Sequence, residues 1–194
     1  MAKGKITKFL KLDEEPKYTF QNILLIFFSM SVIGWIWEVT YRLIRKGVFA
    51  NRGFLFGPCI PIYGIGAILV IIISKRLRKQ PFAFTLVTAI VCASLEYITS
   101  LVLEYAFHMK YWDYGRYFMN LNGRICLESV LGFTIAGFIA CYFLLPFINK
   151  LFNKIKPKLK LIICIILSVL YIIDFSHSLV HPNTGKGISW QVNK

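Results

Sequence analysis

Nine acidic residues are set against 23 lysines and arginines in this 194-residue chain, and the acids are oddly placed. Three lie in a polar leader. Glu38, Glu96, Glu104, Glu128 and Asp174 fall within or at the edges of long apolar runs, and Asp113 falls in a connection. A charge at the centre of a bilayer costs about 2.5–3.5 kcal/mol on insertion scales, so such residues persist where they are paired, interfacial or functional. Glu38 and Arg42 are four apart, as are Arg124 and Glu128, and that spacing allows pairing along a helix. Glu96, Ser100 and Glu104 recur every four residues and share one helical face. The expected cavity draws on Glu38, Arg42, Asn51, Arg52, Glu104, Trp112, Asp113, Asn120, Arg124 and Glu128, with Glu96 about 12 Å deeper by helical rise. Arginines mixed with carboxylates suit a small polar or zwitterionic ligand, or a headgroup carrying phosphate.

Other chemistries are poorly served. Asp174, His177 and His181 share a face at i, i+3 and i+7, a set that can hold a transition metal. Histidines at a helix end are more simply read as interfacial and hydrogen-bonded, so no metal is assigned. The tail NTGKG lacks the G-x-x-x-x-G-K-[ST] frame, and there is no H-E-x-x-H or G-x-S-x-G. The chain is therefore not expected to hydrolyse ATP itself, and no cofactor is assigned.

The elements that must position these residues are membrane helices. The chain is 57% hydrophobic and 16% charged, with mean hydropathy +0.61, whereas soluble domains are nearer half apolar and a quarter charged. The expected fold is all-α, a polytopic bundle of about five spans near 22–44, 61–74, 82–107, 124–148 and 161–179. A leader (1–20) precedes the helical domain (21–180), and a polar tail (181–194) follows it. Between the first two spans lies a polar stretch interrupted by glycine and proline, read as a re-entrant or broken segment at 47–66.

Net charge is +14. The basic residues cluster in short connections, as positive-inside orientation and anionic headgroups favour, so a lipid bilayer and not nucleic acid is the expected partner. Fourteen of the 23 fall in the leader and in turns 75–81 and 149–160, which favours the N-terminus inside and the C-terminus outside. The leader has no signal-peptide pattern, so the first span is expected to direct insertion into the cell membrane. The five cysteines form no C-x-x-C pair and read as buried apolar groups.

The segments GWIWEVTYRLIRKGVFANRGFLFGPCIPIYGIG, SLEYITSLVLE, YWDY and NLNGRICLESVLGFTIAG, in that order, resemble the ABC-transporter type IV membrane family over about residues 30–140. The family's characteristic polar positions would fall on Glu38, Asn51, Arg52, Gly53, Gly57, Pro58, Tyr63, Gly64, Glu96, Asp113, Asn120, Gly123 and Arg124. The resemblance adds Tyr63 to the candidate ligand-binding set. It implies a permease-like subunit of a transporter energised by a separate ATPase. Five spans enclose little on their own, so a homo-oligomer or partner subunits are expected. The alternative is a membrane-embedded enzyme acting on a lipid headgroup or lipid-linked substrate. There Glu96, Glu104 or Asp113 would be general base and an arginine would hold phosphate.

Overall fold

The computed structural model describes residues 10, 12, 15–185 and 188–191. The rest of the expected leader (1–9, 11, 13 and 14) and of the tail (186, 187 and 192–194) lies outside the described residues. Helix α1 is Phe20–Lys46, α2 Pro61–Leu77 and α3 Pro81–Phe107. Then come α4 (Leu127–Ile139), a π-helical turn Ala140–Leu144, α5 (Leu145–Asn153) and α6 (Pro157–Val180). Two short strands, β1 (Met109–Lys110) and β2 (Trp190–Gln191), pair antiparallel. Among the described residues the fold is otherwise helical, the expected all-α bundle.

Four stretches are long and apolar enough to cross a membrane: Phe20–Arg45, Pro81–Phe107, Leu127–Asn153 and Pro157–Val180. The remaining expected span, 61–74, is α2, which has 17 residues and is about 25 Å long, short of a hydrocarbon core about 30 Å thick. Its shortness follows from where it starts. The Ile60 amide donates to Ser31 O at 3.1 Å, and Gly64 abuts Ser31 and Phe27. Ser31 lies 15 residues before the end of α1, about 22 Å down that helix. Residues 47–60 therefore run back beside α1, and α2 begins partway through the bundle. At Gly34 the Tyr63 ring occupies the space a Cβ would need, and the two helices pack through these glycines.

The fourth span carries a proline, and its irregularity has a traceable cause. Pro146 has no N–H to give. The Leu145 amide bonds to Ala140 O, one residue further back than in an α-helix, which leaves Cys141 O without its usual donor. Arg78, 5% exposed, fills the vacancy with NH1 at 2.6 Å. The Tyr142 hydroxyl donates to Arg78 O at 2.9 Å, and the guanidinium lies 5.1 Å from the Tyr142 ring centroid. Arg78→Ala is expected to strand that carbonyl and to lower stability by about 1–3 kcal/mol. Denaturant titration in lipid bicelles would read the loss, and an unchanged midpoint would refute the assignment.

The same end of the bundle is closed by a saturated polar knot. Asn22 is fully buried. Its amide donates to Asn149 Oδ1 and Asn153 Oδ1, both at 2.7 Å, and its Oδ1 accepts from Lys160 Nζ at 2.8 Å. These contacts tie α1 to α5 and α6. The opposite end holds both polar connections, 47–60 and 108–126.

Candidate functional site

Backbone that leaves a helix inside a bundle must find new hydrogen-bond partners, because lipid supplies none. The descending segment 47–60 finds them one by one. Asp174 of α6 accepts from the Phe56 amide at 3.1 Å and the Gly57 amide at 2.9 Å. Asn183, just past α6, donates to Asn51 O, Gly53 O and Leu55 O at 3.0–3.2 Å, and its own amide reaches Phe54 O at 3.1 Å. Asn51 accepts from Trp35 Nε1 and donates to Phe56 O. Gly53, at φ +115°, has a backbone that side-chain-bearing residues avoid. At Gly57 an added Cβ would sit 2.9 Å from Asp174 Oδ2.

The Asp174/His177/His181 face is engaged within the fold. Asp174 is spent on two backbone amides. His177 packs edge-on to Phe56 and stacks on His181.

Against this pinned segment two ion pairs form. Glu38 of α1 accepts from Arg52 NH1 at 3.0 Å and from the Tyr63 hydroxyl at 2.8 Å, joining α1, the connection and the first turn of α2. Arg52 NH2 also donates to Tyr111 O at 2.6 Å. The second pair is Arg124 NH2 with Glu104 Oε2 at 2.7 Å, and Lys110 Nζ lies 3.9 Å from the same oxygen. Trp112 Nε1 donates to Arg124 O at 2.9 Å. Adjacent residues Tyr111 and Trp112 thus tie the two pairs together at one end of the bundle. Burial pushes the Tyr111 hydroxyl up to about 12, so it stays a neutral donor to Asn183 O, 3.1 Å away.

The second connection also dips inward. The Tyr114 hydroxyl donates to Glu96 Oε1 at 3.1 Å, Asn122 donates to the Tyr97 hydroxyl at 2.9 Å, and Arg124 lies over the Tyr97 ring. Burial, then the Glu96 carboxylate, holds the Tyr114 hydroxyl well above its ordinary range. Within this connection Asp113 accepts from the Gly115 amide at 2.8 Å. Asn120 donates to Gly115 O and Tyr117 O and accepts from the Gly123 amide. Both side chains shape the loop.

Sequence spacing misdirects two pairings. Glu38 and Arg42 share a helix face, yet Glu38 goes to Arg52 and Tyr63. Arg124 lies before α4 begins at Leu127, so no helical turn joins it to Glu128, which is exposed. Arg42 is left as the outlier. It is 9% exposed, its Nε is buried without a hydrogen bond, and it has no ion pair among the described residues. It lies within electrostatic reach of both Arg52 and Glu38. Asn183 and Tyr111 are not among the expected site residues. The one signal for Asn183 is a polar residue directly after proline at the end of an apolar span.

A buried polar cluster among helices of membrane-spanning length, fed by two inward-dipping connections, is the build of a multi-pass membrane protein. A family model described as "Putative ABC-transporter type IV" matches residues 25–179, and the chain belongs to that family. The match runs on through α6, past the stretch whose motifs carry the resemblance. Searches of curated proteins and of solved structures found no match.

Proposed function

We propose that this chain is a permease-like subunit in the cell membrane that binds a small polar or anionic solute at the Glu38–Arg52–Arg42 cluster, and that a separate ATPase energises it. The observation that carries the reading is Arg42. Arg52 and Arg124 are neutralised by Glu38 and Glu104, whereas Arg42 is 9% exposed, keeps a buried Nε without a hydrogen bond and has no ion pair among the described residues. A buried unpaired charge is costly, and an anionic group reaching it would remove that cost. Arg52 and Tyr63 position Glu38, and Trp35 with Asn51 fixes the segment that carries Arg52. Homo-oligomerisation would complete a pathway that so few helices leave open.

The enzyme reading is served less well by the geometry. Of the three carboxylates expected as bases, Glu104 is ion-paired and Asp113 holds a loop amide. Glu96, the third, accepts from the Tyr114 hydroxyl.

The test is equilibrium binding of radiolabelled sulfate, phosphate and glutamate to the protein in lipid nanodiscs. At least one should bind saturably, and Arg42→Gln should weaken it about tenfold or more, the loss expected for a charge-assisted contact. Equal binding by Arg42→Gln, or no saturable binding of any of the three, would overturn the proposal.

A further inference from the structure

The connection between α3 and α4 carries large apolar side chains on its outside. Phe118, Met119 and Leu121 are each more than half exposed, and Tyr117 slightly less. The backbone beneath them is held in place. Asp113 accepts from the Gly115 amide, Asn120 bonds to Gly115 O, Tyr117 O and the Gly123 amide, and Leu121 pairs with Ile125. Met119 and Asn122 sit at φ 50° and 54°, left-handed backbone that a methionine rarely adopts. A fixed turn that shows contiguous apolar side chains to the outside marks a contact surface.

We propose that this tip, residues 117–121, dips into one leaflet of the bilayer, with Phe118, Met119 and Leu121 against the acyl chains just beneath the headgroups. Depth is the first reason. Asn149 belongs to the polar knot at the closed end, and exposed Lys150, Lys154, Lys156 and Lys158 beside it mark one edge of the hydrocarbon. Leu127, whose amide donates to Phe118 O at 3.4 Å, lies 22 residues back along the same span, about 33 Å away. A hydrocarbon core about 30 Å thick therefore has its other edge at the tip. The tip also lies beside the helices and not above them. Asn122 donates to the Tyr97 hydroxyl, and Tyr97 comes ten residues before the end of α3, about 15 Å short of it. Continuity is the second reason. Leu127, Leu131, Ile135 and Ile139 recur every four residues on α4 and are all exposed, so they share an outward face that meets acyl chains on a spanning helix. The tip prolongs that face. Its exposed polar neighbours Arg116, Asn120, Asn122 and Glu128 then fall in the hydrated headgroup layer, where an arginine reaches lipid phosphate and a tyrosine such as Tyr117 is at home. This placement is independent of the solute site.

Methionine-methyl NMR of the full chain in phosphatidylcholine nanodiscs tests it. The sequence has four methionines, so labelling their methyls with carbon-13 gives a sparse spectrum, and Met119→Leu, a change at an exposed side chain, identifies the Met119 signal. Phosphatidylcholine carrying a nitroxide at the fifth acyl carbon should broaden that signal strongly. A water-soluble gadolinium chelate should broaden it far less than it broadens free methionine in the same sample. Phe118→Asp places a charge where the tip meets hydrocarbon, and should lower the effect of the lipid nitroxide on Met119 while raising that of the chelate. Full broadening by the chelate, no broadening by the lipid nitroxide, or a Phe118→Asp spectrum that responds as wild type does would each overturn the proposal. A Met119 signal shielded from both agents would mean that another protein chain covers the tip, and would overturn it as well.

Discussion

Asn22→Ala is expected to cost about 3 kcal/mol, the largest stability loss of any single change at the closed end of the bundle. The reason is Lys160 and not the asparagine. Lys160 is 6% exposed, and the Asn22 carbonyl oxygen, 2.8 Å from its ammonium, is its one hydrogen-bond acceptor among the described residues. Alanine would leave a buried ammonium without an acceptor and would free two further amide oxygens, on Asn149 and Asn153. The paired substitution Asn22→Leu with Lys160→Met removes the charge together with its acceptor. It should cost much less than the single change, since removing both members of a buried polar pair is often nearly neutral. A double-mutant cycle by denaturant titration in bicelles separates the two. A single change within about 0.5 kcal/mol of wild type would show that the knot contributes nothing.

The second large effect belongs to Arg52. Its two terminal nitrogens make different bonds, one to Glu38 and one to Tyr111 O. Arg52→Ala would leave Glu38, a mostly buried carboxylate, with the Tyr63 hydroxyl alone, and would cut the link between the connections. Loss of a charged hydrogen bond costs about 1.5–3 kcal/mol, and solute binding should fall more than tenfold as Glu38 swings from position. Arg52→Lys keeps the charge but cannot fork. It is expected to recover stability while leaving most of the binding defect. Full binding by both variants would remove Arg52 from the site.

Comparison of sequence and structure shows where patterning speaks and where it is silent. The helices were legible because each is a long apolar run begun by a cap or a proline, as at Thr19, Pro61, Pro81 and Pro157. Their ends were placed within a few residues, except that the fourth span begins at Leu127, behind its Cys126 cap, and runs through Pro146 to Asn153. Proline there suggests an earlier stop, but the π turn and Arg78 absorb it. Glycine and proline flagged a break at 47–66, and it ends earlier, at Pro61, where α2 begins. The depth to which it descends depends on Asp174 and Asn183, over a hundred residues away, and no local pattern carries that. The same limit applies to charge pairing. Spacing of four proposes partners along a helix, whereas Glu38 and Glu104 found theirs across the two connections.

The central claim is that Arg42 is a guanidinium the protein leaves unpaired for an anionic group to complete. Arginine side-chain nitrogen resonances of the protein in nanodiscs, followed while sulfate, phosphate or glutamate is added, report on it most directly. The account predicts that with at least one of them the Arg42 Nε–H signal shifts saturably, while that of Arg78, at the far end of the bundle, stays fixed. An Arg42 signal that never moves, or one that moves no more than Arg78 does, would contradict it.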